Sequence, residues 1–78
     1  MLTGKHFRLD TATLAIAESD GRRIAVTIPP GGTIKVVSSL NGDDRMIDVL
    51  WDGRILNMLY ADLEARGKEL PEASETRG

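Results

Sequence analysis

The sequence predicts an all-β fold, a small antiparallel barrel of five or six strands with a short helical turn behind its last hairpin. Three observations carry this expectation. The stretch Met46-Ile47-Asp48-Val49-Leu50-Trp51-Asp52-Gly53-Arg54-Ile55-Leu56-Asn57-Met58-Leu59-Tyr60 sets two strand-like runs around Asp52-Gly53, a dipeptide suited to a tight hairpin turn. Earlier, short apolar runs alternate with turn-forming clusters at Asp10-Thr11-Ala12, Ser19-Asp20-Gly21-Arg22 and Pro29-Pro30-Gly31-Gly32. Only Ala61-Asp62-Leu63-Glu64-Ala65-Arg66 reads as helix, and it is one or two turns long. Short strands, Gly/Pro turns and a single helical turn together favour a barrel or roll.

The first strand is expected between Gly4 and Leu9, the second from Thr13 to Glu18 and the third from Arg23 to Ile28. The turn between the second and third decides their register. A two-residue Asp20-Gly21 loop pairs Leu14 with Thr27 and Ile16 with Ala25; a three-residue Ser19-Asp20-Gly21 loop pairs Leu14 with Val26, Ile16 with Ile24 and Glu18 with Arg22. The longer loop sets large apolar groups and opposite charges against each other, and is the one expected. Pro29-Pro30-Gly31-Gly32 then turns the chain into a fourth strand, Thr33 to Ser38, followed by the polar loop Leu40 to Arg45. For the last hairpin the same test selects a two-residue Asp52-Gly53 turn, which pairs Val49 with Leu56, Ile47 with Met58 and Asp48 with Asn57. Asp62 and Arg66 lie four apart, a helical ion-pair spacing, and Gly67 is placed to supply a left-handed cap. The expected core draws on Leu14, Ile16, Val26, Val36, Ile47, Val49, Leu56 and Met58. The domain is expected over residues 1–67, with 68–78 a mobile polar tail.

Seventy-eight residues allow one domain, and a 41% hydrophobic share is that of a folded chain. A domain so small buries only about 60% of its unfolded surface, and self-association is a common remedy. No cysteine is present, which removes disulfides, thiolate metal sites and cysteine nucleophiles and fits a cytoplasmic location. No apolar run approaches the roughly 18 residues of a membrane span, and Met1 to His6 does not read as a secretory signal. Residues 1–40 carry five Lys/Arg against three Asp/Glu, and residues 41–78 five against nine, so no strong field favours nucleic acid or a membrane.

The hairpin Met46 to Arg54, the apolar strand after it and Asp62-Leu63-Glu64 resemble the closing hairpin of SH3-like small barrels, a layout shared by Tudor-type and KOW-type modules and the photosystem I accessory barrel. The chain as a whole also resembles a group of short bacterial proteins of uncharacterised role. The resemblance covers roughly residues 4–67 and implies a fold; it carries no catalytic residue, and such barrels host many unrelated functions.

Candidate sites follow from particular side chains. Trp51 and Arg54 face each other across the closing turn. Trp51 either anchors a partner with Arg54 or, the weightier reading because it continues the face of Ile47 and Val49, plugs one end of the core. The second face of this hairpin holds Met46, Leu50, Ile55 and Leu59, interrupted only by Asp48 and Asn57. A barrel wall needs one apolar face, so either a neighbouring segment or another chain covers the other; homodimerisation through this hairpin, with Leu50, Ile55 and Leu59, is the sharpest expectation, set against strand bending that lets both faces contribute to a strongly curved core. Partner capture is expected to use this hairpin and the Pro29 to Thr33 turn. Arg8, Arg22 and Arg23 are the candidate nucleic-acid patch, although Asp10, Glu18 and Asp20 interleave with them and a solvated mixed-charge surface is favoured. Phe7, Trp51 and Tyr60 are too scattered to promise an aromatic cage, and Asp43-Asp44 lacks the spacing of a calcium loop. A lone His6, serines without a base and a Gly31-Gly32 turn with no lysine behind it give no catalytic or cofactor site. The expected role is a non-catalytic, self-associating interaction module; the alternatives are a nucleic-acid-binding regulator and an accessory subunit of a larger enzyme.

Overall fold

Two tight turns close the two hairpins on which the sheet is built. The computed structural model describes residues 3–38 and 45–71. Asp20 and Gly21 have φ of 54° and 77°, and Asp52 and Gly53 have 54° and 76°. Both are two-residue turns with two left-handed residues, the form whose twist matches that of the flanking strands. They close the hairpins β2 (Thr13–Ser19) with β3 (Arg22–Ile28) and β5 (Met46–Trp51) with β6 (Arg54–Leu59). The remaining strands are β1 (His6–Leu9), β4 (Thr33–Ser38) and β7 (Gly67–Glu69); a single helix, α1 (Tyr60–Arg66), precedes β7. The seven strands form one antiparallel sheet in the order β3-β2-β6-β5-β4-β1-β7.

The all-β class and the short helix after the closing hairpin are as expected. The strand count is not five or six, because Gly67, Lys68 and Glu69, placed at the domain's last residue and in the tail, pair with Leu9, Arg8 and Phe7. No ladder joins the outer strands β3 and β7, so the described sheet is open rather than closed. Leu70 extends the seam, its N–H donating to the His6 carbonyl at 2.8 Å. The remainder of the expected tail, residues 72–78, and the Leu40 to Asp44 part of the polar loop lie outside the described residues.

The β5–β6 register is the expected one, with Ile47 opposite Met58, Val49 opposite Leu56 and Trp51 opposite Arg54. The β2–β3 register is the other of the two weighed: Leu14 pairs with Thr27, Ile16 with Ala25 and Glu18 with Arg23. A one-residue shift exchanges the faces of β2. Thr13, Ala15 and Ala17 are buried, whereas Leu14 is 59% exposed and Ile16 only half-buried. Volume accounts for the outcome. Ala15 and Ala17 stand opposite Val26 and Ile24 and share the interior with Leu56 and Met58. Small residues on β2 leave room for these large ones, which Leu14 and Ile16 would overfill. The core therefore gains Phe7, Leu9, Ile28, Ile34 and Leu63 and keeps Val36, Ile47, Val49, Leu56 and Met58, with Val26 packed against its margin.

Glycine serves turning after β3 and close packing after α1. Pro29–Gly32 is a turn with Gly31 at φ 87° and the Gly32 N–H donating to the Pro29 carbonyl at 3.0 Å. It is fastened to β1, since the Leu9 N–H donates to Gly32 O at 2.9 Å and the Gly31 N–H to Leu9 O at 2.7 Å. Gly67, by contrast, is not a left-handed cap: its φ and ψ are −101° and 150°, and it begins β7. Glycine is needed there for closeness, because a Cβ would lie 2.8 Å from the Leu63 carbonyl oxygen. Helix α1 closes over the core with Leu63, and its Arg66 is tied down by Asp62 at 3.9 Å and by donation to the Ala12 carbonyl at 2.9 Å.

Candidate functional site

The outer face of the sheet follows from the registers just given. On it, β2 presents Leu14, Ile16 and Glu18; β6 presents Leu59, Asn57 and Ile55; β5 presents Met46, Asp48 and Leu50. Ile16 pairs with Asn57 and Asn57 with Asp48, which aligns the three strands. Stepping two residues in each direction along these strands gives one row of Leu14, Leu59 and Met46 and another of Glu18, Ile55 and Leu50. Leu14, Leu50, Ile55 and Leu59 are all exposed. A shallow hollow lined by Leu14, Ile16, Met46, Asn57 and Leu59 lies within this surface.

Its middle row sets Ile16 beside two polar side chains that are bonded to each other. The Asn57 amide donates to Asp48 Oδ1 at 3.0 Å and to the Ile47 carbonyl at 3.2 Å. The predicted partner-binding residues Leu50, Ile55 and Leu59 thus share one face, as expected. Sequence reasoning missed Leu14 and Ile16, which it assigned to the core. The signal that would have found them is Ala15 and Ala17: two small residues alternating with two large ones are better suited to face Leu56 and Met58.

Trp51 lies elsewhere. It is half-buried on the inner face, packed against the core, with its Nε1 beside Gly32. A Cβ on Gly32 would stand 3.2 Å from that nitrogen. Trp51 therefore links the closing hairpin to the Pro29–Gly32 turn, while Arg54 opposite it is exposed.

The three arginines of the nucleic-acid reading are not gathered by the sheet. Arg22 and Arg23 begin β3, at the end remote from Ile28 and the Pro29–Gly32 turn to which β1 is bound. Five residues of strand, roughly 17 Å, separate Arg23 from Ile28. Arg8 on β1 faces Asp10, with 3.8 Å between their charged atoms, and Arg23 stands opposite Glu18.

A second hollow at the α1 end is lined by Phe7, Tyr60, Leu63, Glu64, Gly67 and Glu69. Phe7 is buried, Glu69 is paired with Lys5 at 3.4 Å, and Trp51 is not among the lining residues. The Tyr60 hydroxyl donates to Glu64, and this bond, with the neighbouring negative charge, raises the phenol above its ordinary range. Among the described residues there is no group of three or more His, Cys, Asp or Glu placed to hold a metal ion, and no helix long and apolar enough to cross a membrane. Asp43 and Asp44 lie outside the described residues. No family model, curated protein or solved structure matches the chain.

Proposed function

We propose that this chain is a non-catalytic interaction module, an SH3-like small barrel in plan, that self-associates through the outer face of β2, β6 and β5. The barrel plan is supported by the closing hairpin with α1 directly behind it. One observation carries the functional reading: Leu14, Leu50, Ile55 and Leu59 are exposed together on one sheet face, around Asp48 and Asn57, which are hydrogen-bonded to each other. Contiguous apolar surface of this kind marks an interface, and a chain too small to bury much surface alone gains stability by covering it.

Solution mass measured by light scattering across concentration tests the reading, on the wild type, Leu50→Glu and Ile55→Glu. The expected result is a wild-type dimer that each substitution converts to a folded monomer, weakening association at least about thirtyfold. A wild type that stays monomeric at every concentration, or variants whose mass is unchanged, refutes it.

A further inference from the structure

We infer that the second copy lies face to face with the first about a two-fold axis running along the strands, between β5 and β6; this rests on the self-association reading above and gives it an orientation. The sheet order around that line is β2-β6-β5-β4. Such an axis lays β6 over the β5 of the second copy and β2 over its β4, with strands aligned as in ordinary sheet-on-sheet packing.

The described side chains of the β6–β5 rows complement themselves in this arrangement, while Leu14 falls level with positions beyond Ser38, outside the described residues. Lys35 on β4 pairs with Leu50, so the row Glu18, Ile55, Leu50 is completed by Lys35. Turned about the axis, that row reads Lys35, Leu50, Ile55, Glu18. Glu18 of each copy meets Lys35 of the other, and Ile55 meets Leu50. In the row above, Leu59 meets Met46. In the middle row Asn57 meets Asp48, while the two Asp48 carboxylates stand diagonal to each other rather than opposed. Neither Glu18 nor Lys35 has an ion pair within its own copy among the described residues, although Arg23 stands opposite Glu18 in the ladder. Both side chains are long and sit at the flanks, where they reach across a separation of about 10 Å between sheets.

The competing two-fold runs across the strands. It lays β2 over β2 and sets Glu18 against Leu14 of the second copy, desolvating a carboxylate against an apolar side chain. Of these two axes, the strand-parallel one sets Glu18 against Lys35 and apolar against apolar side chains in the same row, and places each Asp48 carboxylate against an Asn57 amide.

Charge exchange tests the orientation separately from the face. Light scattering and sedimentation are measured on wild type, Glu18→Lys, Lys35→Glu and the double exchange, with circular dichroism to check folding. Each single variant sets two like-charge contacts across the axis and is expected to weaken the dimer about tenfold to thirtyfold at low salt, with the loss shrinking at 1 M salt. The double exchange is expected to return to within about threefold of wild type. Single variants that associate like wild type, or a double exchange no better than the singles, overturn the orientation. If that happens while Leu50→Glu still yields a monomer, the face reading survives and this inference alone falls. A wild-type monomer removes both.

Discussion

Leu14 and Ala15 are adjacent, and the two possible β2–β3 registers assign them opposite fates. In the observed one Leu14 is 59% exposed and Ala15 is 1% exposed. Leu→Ala removes three carbons, about 2.4 kcal/mol of transfer free energy when the side chain is fully buried, at about 0.8 kcal/mol each. With only about two-fifths of Leu14 shielded, Leu14→Ala should cost about 1 kcal/mol, a fall in Tm of roughly 4–8 °C for a domain this size. Leu56, 1% exposed, supplies the contrast: Leu56→Ala adds a cavity to the full transfer loss and should cost about 3–5 kcal/mol. Ala15→Leu should cost about 1–3 kcal/mol rather than gain anything, because the added carbons meet Val26 and the packed interior. The assay is denaturant unfolding followed by Trp51 fluorescence, in a Leu50→Glu background so that lost association does not enter the difference. A Leu14→Ala cost near 3 kcal/mol together with a neutral Ala15→Leu would show Leu14 facing inward and refute the two-residue turn.

Two further outcomes are expected. Gly32→Ala should destabilise by about 1–3 kcal/mol in the same unfolding assay, since its Cβ would lie 2.7 Å from Ile28 Cγ2 and 3.1 Å from the Pro29 carbonyl oxygen; a neutral result would mean the turn yields freely. Spectrophotometric titration of Tyr60, the sole tyrosine, should give a midpoint above its ordinary value of 10.0, falling back in Glu64→Ala. Because the folded value is the higher one, the coupling's contribution to stability is fully present below about pH 10 and is lost as the pH climbs through the folded value. A wild-type midpoint at 10 would remove the Tyr60–Glu64 hydrogen bond.

The closing hairpin was legible because its test had one acceptable answer: only the two-residue turn keeps Asp48 and Asn57 together and Ile47 and Val49 against Met58 and Leu56. At β2–β3 both registers were chemically tolerable in isolation. Matching large with large ranked them wrongly, because the preference came from Leu56 and Met58 on β6, a strand far along the chain. Apolar faces are assigned by what lies beneath them, which pairwise matching within a hairpin does not see. Strand β7 was hidden for a related reason. Gly67-Lys68-Glu69 has no β propensity of its own and is held as a strand by the ladder to β1. The site was legible as far as Leu50, Ile55 and Leu59, and its Leu14 and Ile16 portion was lost with the register.

The seam formed by β1 has a consequence for the order in which the chain folds. β2–β3 and β5–β6 close over two-residue turns, and such hairpins form in about 1–10 μs. Phe7, however, pairs with Ile34 and with Glu69, partners some 27 and 62 positions away. Those ladders close large loops, whose entropic cost falls on contacts that give nothing back until the hairpins are in place. The three-residue β7 is therefore expected to join last and to peel away first, and its departure would uncover the edge of β1 beside the buried Phe7 while the hairpins remain intact.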